Sequence, residues 1–227
     1  RPLAIFWGAL NLFGGGRSSQ FLLEHPEGFQ RGRDGAHRSA GCYVNRLCVA
    51  RIKEMIHIAS ERGFEGYFVD EPTPLLECYC PSCCARYEEW YGGDLGTANE
   101  TLTAEFRQRC VLEYVREIAE FCKTSFPHME TQCCVMPCDR DIWIKASQIE
   151  FLDNLGTDIY WVNEDIDVEE MTPLIRDLAA QCHETGKIHH EWLQCWGVRA
   201  GREQRILDQG RILIREQPDA LYVWAWK

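Results

Sequence analysis

The fold prediction starts from Gly63-Phe-Glu-Gly-Tyr-Phe-Val-Asp70-Glu71-Pro72 and from Cys78-Tyr-Cys-Pro-Ser-Cys83, which follows after five intervening residues. Phe64 to Val69 is a short apolar run after a glycine, which predicts a buried strand. The predicted strand ends on two carboxylates, and three cysteines lie in the next loop. This order indicates a strand end that carries chemistry, beside a loop held by a metal ion.

Predicted strands and helices alternate on both sides of this stretch. Between residues 45 and 62, for example, Val49, Ile52, Ile56 and Ala59 recur at spacings of three and four, which predicts an amphipathic helix. The long polar, glycine-rich segment 17–41 is predicted to be a loop. The predicted strands cover 3–12, 64–69, 131–136, 157–162, 187–193 and 221–226, and the predicted helices cover 45–62, 85–90, 103–125, 141–155, 169–185 and 202–216.

Regular alternation of strands and helices predicts parallel strands with helical crossovers, hence an α/β fold. A doubly wound sheet is disfavoured because Gly14-Gly15-Gly16-Arg17 lacks the glycine spacing of a nucleotide-binding turn. Polar groups at several strand ends, Asp70-Glu71, Asn163-Glu164-Asp165 and His189-His190-Glu191, favour a (β/α)8 TIM-type barrel. We therefore expect one barrel domain over residues 1–227, with one or two N-terminal strands lacking, as a portion of a longer protein.

Composition limits the partners and the compartment. A net charge of −11 and a pI near 5.1 argue against a nucleic-acid partner. No run of roughly 18 apolar residues occurs, so we expect no membrane insertion. The sequence does not decide between a monomer and a homo-oligomer. The 13 cysteines are odd in number and fall in helix and strand patterns as often as in loops. This favours free thiols in a reducing, cytoplasmic compartment over a disulfide framework.

The spacing Cys78-x-Cys80-x-x-Cys83 places three soft ligands in one tight loop and suits tetrahedral zinc. Cys42 is our first choice for the fourth ligand, and Cys84, Cys138 and His37 are alternatives. Because four thiolates leave no open position for a substrate, the predicted role is structural. A zinc deaminase motif built on His25-x-Glu27 is a weaker alternative. That motif has its proline before the first cysteine, whereas the proline here lies between Cys80 and Cys83.

Two glutamates are the predicted catalytic residues. Glu71 and Glu191 lie at the ends of predicted strands, and in a barrel both would point into one bowl, where two carboxylates can act as proton donor and nucleophile. Aromatic faces that can stack on sugar rings accompany them in the last strands. The predicted substrate-binding residues are Asp70, Tyr160, Trp161, Asn163, His190, Trp192, Trp224 and Trp226.

From about His37 to Trp226 the sequence resembles the family 42 glycoside hydrolases, which are β-galactosidases, and related glycosyl hydrolases. The resemblance rests on Asp70-Glu71, the cysteine loop and Tyr87-Glu-Glu-Trp-Tyr-Gly92. It implies a structural zinc held by Cys42, Cys78, Cys80 and Cys83. It also implies that Glu71 is the acid/base and Glu191 the nucleophile, with Trp224 or Trp226 ending the last strand. Asp70 stands where the family has an asparagine, so Asp70 itself is an alternative functional carboxylate.

These observations predict a retaining glycosidase with a β-galactoside-like substrate. One alternative is a non-catalytic carbohydrate-binding module on a degenerate barrel, suggested by Asp70 and the lacking strands. A metal-dependent hydrolase is a third hypothesis, and it would need an open metal position lined by His189 or His190. Adjacent histidines on a strand point to opposite faces, so at most one of them can face the bowl.

Overall fold

A computed structural model describes residues 2–8, 10–12, 17–72, 78–137, 140–160, 162 and 168–224. The predicted residues Trp161, Asn163 and Trp226 and the alternative ligand Cys138 lie outside these ranges. The chain divides into two compact units, Arg1–Thr131 and Gln132–Lys227, which are described separately.

Unit 1 contains two parallel strands and three principal helices. Strand β1 (Leu3–Trp7) pairs in parallel with β6 (Gly66–Asp70), from Leu3 opposite Gly66 to Trp7 opposite Asp70. The smaller strands are β2 (Asn11–Leu12), β3 (Arg17–Ser18), β4 (Phe29–Arg31) and β5 (His37–Gly41), and the helices are α1 (Gln20–Glu24), α2 (Arg46–Glu61), α3 (Pro81–Tyr91) and α4 (Glu100–Ser125).

Local sequence explains where these helices begin and end. The side chains of Asn45 and Asn99 cap α2 and α4 by accepting backbone N–H groups of the first turn. Helix α3 starts at Pro81, which suits a first helical position, and ends at Gly92 with a φ of 69°. Glu117 on α4 accepts hydrogen bonds from two cations of α2, at 2.8 Å each, so the two long helices are tied together.

Segment 17–41 is not the loop that the sequence predicts. Ser19 caps the short helix α1, and β4 and β5 form an antiparallel hairpin. The polar composition of this segment led to the loop prediction, but a two-stranded hairpin exposes much of its surface and needs few apolar side chains. The hairpin turn contains Gly35, whose φ of 79° an L residue rarely adopts.

Unit 2 is built on parallel strands alternating with helices. The strand order is β7 (Glu130–Val135), β8 (Asn154–Thr157), β9 (Ile188–Gln194) and β10 (Ala220–Trp224), all parallel. Helices α5 (Arg140–Ser147), α6 (Thr172–Glu184) and α7 (Glu203–Glu216) connect them. Ile175 of α6 and Ile212 and Leu213 of α7 form a buried cluster with Ile159, against which Leu193 of β9 packs.

The predicted boundary between helix 141–155 and strand 157–162 is wrong. Helix α5 ends at Ser147, and the strand occupies Asn154–Thr157, so Tyr160 follows the strand instead of lying in it. This strand is only four residues long, and its single large apolar residue, Leu155, continues the helical spacing of the segment before it. Periodicity alone therefore assigned it to the helix.

The six longer parallel strands, two in unit 1 and four in unit 2, follow the strand–helix alternation of a (β/α) barrel, and this alternation is consistent with part of one. In the described residues, no helix is both long and apolar enough to cross a bilayer.

Candidate functional site

The strand end of β6 carries an acidic pair, Asp70 and Glu71. The Gly8 N–H, just past β1, donates to the Asp70 carbonyl at 3.0 Å, which holds the two strand ends together. Burial, followed by the nearby charge of Glu71, raises the pKa of the Asp70 carboxyl to about 7. A carboxyl group with such a pKa is partly protonated near neutral pH and can donate a proton.

Glu71 has an unusual backbone conformation. Its φ is 41°, in the left-handed region that non-glycine residues seldom occupy. The chain turns there into Pro72, whose Cα and Cβ would lie 3.0 Å from a side-chain carbon added to Gly8. Only glycine at position 8 permits this close approach. Strain of this kind is common at functional sites, where the surrounding structure holds a residue in a costly geometry.

The four predicted metal ligands lie together. One sulfur atom each of Cys42, Cys78, Cys80 and Cys83 is within 4.8 Å of all the others. The Cys42 Sγ is 3.4 Å from Cys83 Sγ and 3.5 Å from Cys80 Sγ, too far for a disulfide bond. The alternatives Cys84 and His37 do not belong to this group.

The arrangement of the four sulfurs fits a metal ion. Tetrahedral zinc with thiolates at about 2.3 Å sets the sulfurs about 3.8 Å apart, close to the separations found here. Hydrogen bonding to Cys42 is the largest of the effects that lower the pKa of the Cys78 and Cys80 thiols, so part of the cluster favours the thiolate form that binds metals. The group could hold a metal ion, and its sulfur ligands favour a soft or borderline one.

The cysteine cluster is part of the core of unit 1. It packs with Tyr87 of α3, Phe106 of α4 and Leu95 between the two helices. A small cavity of about 30 Å³, roughly the space of one water molecule, lies beside Cys42, Cys78 and Cys83. The cluster therefore ties the loop after Glu71 to the helical layer.

In unit 2, Glu191 is the middle residue of β9, not the strand-end residue that the sequence predicts, and it lies in a closed environment. Its side chain is fully buried, with its Oε1 2.9 Å from His189 Nε2 and both oxygens 3.3 Å from the Thr157 hydroxyl, which donates to them. Burial raises the pKa of Glu191, while the hydrogen bond from His189 acts in the opposite sense. Because side chains alternate along a strand, Glu191 shares its face with Leu193, which packs against α6 and α7.

The opposite face of β9 carries an aromatic row. His190 and Trp192 on β9 neighbour Tyr222 and Trp224 on β10, with ring centroids 5.0 Å apart for Trp192 and Tyr222 and 6.2 Å apart for Trp192 and Trp224. Hydrogen bonds join Tyr222 to Gln132 on β7 and to Asn154 on β8, across the same face of the sheet. Three predicted substrate residues, His190, Trp192 and Trp224, thus share one face.

The His190 side chain is already hydrogen-bonded within this row. Its Nδ1 lies 2.5 Å from Asn154 Oδ1, and burial, with a smaller effect of the His189 charge, lowers its pKa to about 3. The imidazole is therefore neutral at ordinary pH. Among the described residues the only metal-ligand group is the four-cysteine one, and neither His189 nor His190 belongs to it. A metal position lined by either histidine therefore stays a prediction.

Sequence reasoning missed two buried glutamines that join the strand ends of unit 2. Gln209 of α7 is fully buried; its Oε1 accepts the Gln194 N–H, and its Nε2 donates to the carbonyls of Ile159 and Trp192. Gln194 in turn accepts the Val162 N–H. The bonds fix the chain after β8, where the half-buried Tyr160 lies. A glutamine inside an otherwise apolar helix face was the available signal.

Glu71 and Asp70 lie in unit 1, and Glu191 and the aromatic row lie in unit 2. The prediction that Glu71 and Glu191 face one another concerns both units, and it stays a prediction. The weak deaminase alternative finds no support, because His25 and Glu27 are exposed neighbours 3.7 Å apart and belong to no metal-ligand group of the described residues.

Comparison with known proteins gives the fold but no family. No protein-family model matches the sequence, and no curated protein matches it. A β-galactosidase from the Antarctic haloarchaeon Halorubrum lacusprofundi is similar in structure, with a TM-score of 0.72 and 14% identity over 99% of this chain and 43% of that one. The PgaB (BpsB) glycoside hydrolase domain from Bordetella bronchiseptica is similar with a TM-score of 0.59 and 13% identity, over 98% and 70% of the two chains.

The chain spans less than half the length of that β-galactosidase. At such identities the likeness concerns the fold, and this chain has a glycoside hydrolase-like fold. The likeness is not specific to family 42, so membership of that family stays an expectation.

Proposed function

We propose that this chain is the catalytic barrel region, or part of it, of a glycosidase that hydrolyses an O-glycosidic bond. The observation that carries the proposal is the strand end of β6, where a carboxyl group with a pKa of about 7 adjoins a glutamate held at a φ of 41°. A half-buried acid with a raised pKa and a strained backbone beside it are together a costly arrangement, which is typical of catalytic positions. The glycoside hydrolase-like fold supports the same conclusion.

In the proposed reaction Glu71 protonates the glycosidic oxygen, and the second carboxylate attacks the anomeric carbon. A covalent glycosyl-enzyme forms as the glycosidic bond breaks. Glu71 then takes a proton from water, which attacks the same carbon and releases the sugar with retention. Asp70 accepts a hydrogen bond from a substrate hydroxyl, or replaces Glu71 as the proton donor.

The proposal keeps Glu191 as the second carboxylate, and the geometry of unit 2 sets the condition for that role. The carboxylate must exchange its bonds to His189 and Thr157 for contact with the substrate. Because Glu191 lies on the face of β9 opposite the aromatic row, its side chain must also reach the face on which the sugar is proposed to bind. It must also come within about 5 Å of the Glu71 carboxyl group, the separation of a retaining pair.

For the substrate we propose a β-galactoside-like sugar bound against the aromatic row, because sugar rings present C–H groups that pack on flat aromatic faces. Trp192 and Trp224 would supply these faces, and His190 would keep its place through Asn154. Tyr160, Trp161, Asn163 and Trp226 complete the proposed binding set.

We propose zinc as the ion of the four-cysteine site, in a structural role. Four thiolates would fill the coordination sphere, so the ion would take no part in the reaction. Its binding energy would order the loop that follows Glu71.

A panel of nitrophenyl, phenyl and alkyl glycosides tests the proposal, assayed with the wild-type protein and with Glu71→Gln. The amide cannot donate a proton, so substrates with poor leaving groups should slow by about 10²–10⁴-fold, the range of general acid catalysis. Substrates with good leaving groups need less protonation and should slow less. Equal rates for the two proteins on every substrate would refute the role of Glu71.

The enclosure of Glu191 favours a second candidate, a non-catalytic carbohydrate-binding module. A fully buried carboxyl group on the helix-facing side of β9 can stabilise the sheet without touching a ligand. This candidate predicts saturable sugar binding with no turnover of any glycoside. Binding that is lost on Trp192→Ala but unchanged in Glu71→Gln would establish it.

A further inference from the structure

Two arginines from other elements meet at Tyr79 of the cysteine loop, and none of the three takes part in the proposed reaction or in the metal site. Tyr79, between Cys78 and Cys80, receives hydrogen bonds on its phenol oxygen from Arg33 Nη2 at 3.0 Å and from Arg107 Nη2 at 3.3 Å. The two guanidinium nitrogens therefore lie no more than about 6.3 Å apart. Both guanidinium groups also lie over the tyrosine ring, at 5.1 and 5.8 Å from its centroid.

Within the group itself, hydrogen-bond donors outnumber acceptors. Two cations meet at an uncharged oxygen, and no carboxylate among the described residues pairs with Arg33. The neighbouring Asp34 lies 3.7 Å from Arg38 instead. The phenol oxygen already accepts two N–H groups, and within the described part of the chain its own O–H proton has no acceptor. Arginine and tyrosine donors arranged in this way match the lone pairs of an oxyanion.

The backbone holds the group in place. Tyr79 N–H donates to the carbonyl of Arg31 at 2.7 Å, which joins the cysteine loop to the hairpin of β4 and β5. Arg33 is exposed, while Tyr79 and Arg107 are half-buried, so a ligand can reach the group from solvent.

We propose that Arg33, Arg107 and Tyr79 form a binding site for an oxyanion, namely a carboxylate, sulfate or phosphate group. The site lies on the loop that follows Glu71. It does not depend on the proposed function, but together with that function it indicates an acidic carbohydrate as the ligand class. Guanidinium groups recognise carboxylates and phosphates through paired, parallel hydrogen bonds, which a neutral sugar cannot replace.

Equilibrium dialysis of the metal-loaded protein tests this site without any need for turnover. The probes are radiolabelled sulfate and glucuronate, with glucose as the uncharged analogue of glucuronate. We expect saturable binding of one or both anions, weaker in higher salt, and at least tenfold weaker binding of glucose. Tighter binding of glucuronate would identify the carboxylate of an acidic sugar, and tighter binding of sulfate would identify a tetrahedral anion.

Variants assign the binding to these residues. Arg33→Gln and Tyr79→Phe should each weaken anion binding at least fivefold with the metal content unchanged. Arg51→Gln is the matched control, because Arg51 also lies over an aromatic ring, that of Phe21, but pairs with Glu54 at 2.7 Å. It should bind anions as the wild type does.

Three outcomes would overturn the proposal. They are no saturable anion binding, equal weakening in Arg51→Gln, or metal loss in Arg107→Gln with anion binding intact. Metal loss in Arg107→Gln with intact anion binding would mean that the arginines balance the negative charge of the thiolates. The assay for glycoside turnover reads out the proposed function separately, so failure of one proposal leaves the other standing.

Discussion

Replacing Glu71 with glycine and with alanine separates the backbone strain at this position from the chemistry of its carboxylate. Both variants lack the carboxylate, but only alanine keeps a Cβ at a φ of 41°. A left-handed conformation costs a non-glycine residue about 1–2 kcal/mol, and the flexibility of unfolded glycine offsets about 0.5–1 kcal/mol of the gain. We therefore expect Glu71→Gly to exceed Glu71→Ala in free energy of unfolding by about 0.5–1 kcal/mol.

Urea unfolding of both variants, followed by far-UV circular dichroism, measures this difference. The control pair is Glu54→Gly and Glu54→Ala, at an exposed position inside α2. There glycine should be the less stable residue by about 1 kcal/mol. Both Glu71 variants should lose turnover. If glycine is also the less stable residue at position 71, Glu71 is not strained, and the main support for its functional role fails.

Three further predictions address the metal, the acid and the strand ends. Cys80→Ser should lose the bound metal and unfold more readily, whereas Cys84→Ser, which alters a thiol outside the cluster, should keep about one equivalent by elemental analysis. Since folding raises the pKa of Asp70 from 3.8 to about 7, the native state binds the extra proton, and stability should fall by up to about 4 kcal/mol as the pH rises from 4 to 7. Asp70→Asn should flatten that part of the pH profile in denaturant titrations, and a profile that matches the wild type would contradict the shift. Gln209→Leu should cost about 3 kcal/mol in thermal unfolding because three buried backbone groups lose their partners, while Gln204→Leu, on the exposed side of the same helix, should change stability by less than about 0.5 kcal/mol.

The sequence predicts the elements whose ends are marked by glycine or a capping residue. Helix α2 and strand β6 lie within one or two residues of their predicted positions, because Asn45 and Gly63 mark the boundaries. The hairpin of β4 and β5 was missed, and the four-residue strand β8 was predicted to start three residues too late. Their stability comes from pairing with neighbours, and single-sequence periodicity does not contain that information.

The candidate site was predictable to different degrees. Spacing within one loop identified Cys78, Cys80 and Cys83, because ligands close in sequence are close in space. The family resemblance supported Cys42 as their partner, and the structure places it with them. The face of β9 on which Glu191 lies was less accessible to sequence reasoning. It follows from alternation with Leu193, but choosing the face requires knowing which residues α6 and α7 cover.

The Arg33, Arg107 and Tyr79 group could not be predicted, since its members are separated by 28 and 46 positions from Tyr79 and carry no motif. The buried amides of Gln194 and Gln209 are similar. Buried polar groups acquire meaning only when their partners are known.

Covalent trapping tests the central claim most directly, because it asks which carboxylate meets the sugar. A slow glycoside with a good leaving group, fluorinated next to the anomeric carbon, should leave its sugar on the nucleophile, and peptide mass spectrometry then locates the added mass. The proposed mechanism predicts the label on Glu191 in the wild-type protein and no label in Glu191→Gln. A label on a different side chain, in a protein that turns over glycosides, would contradict it.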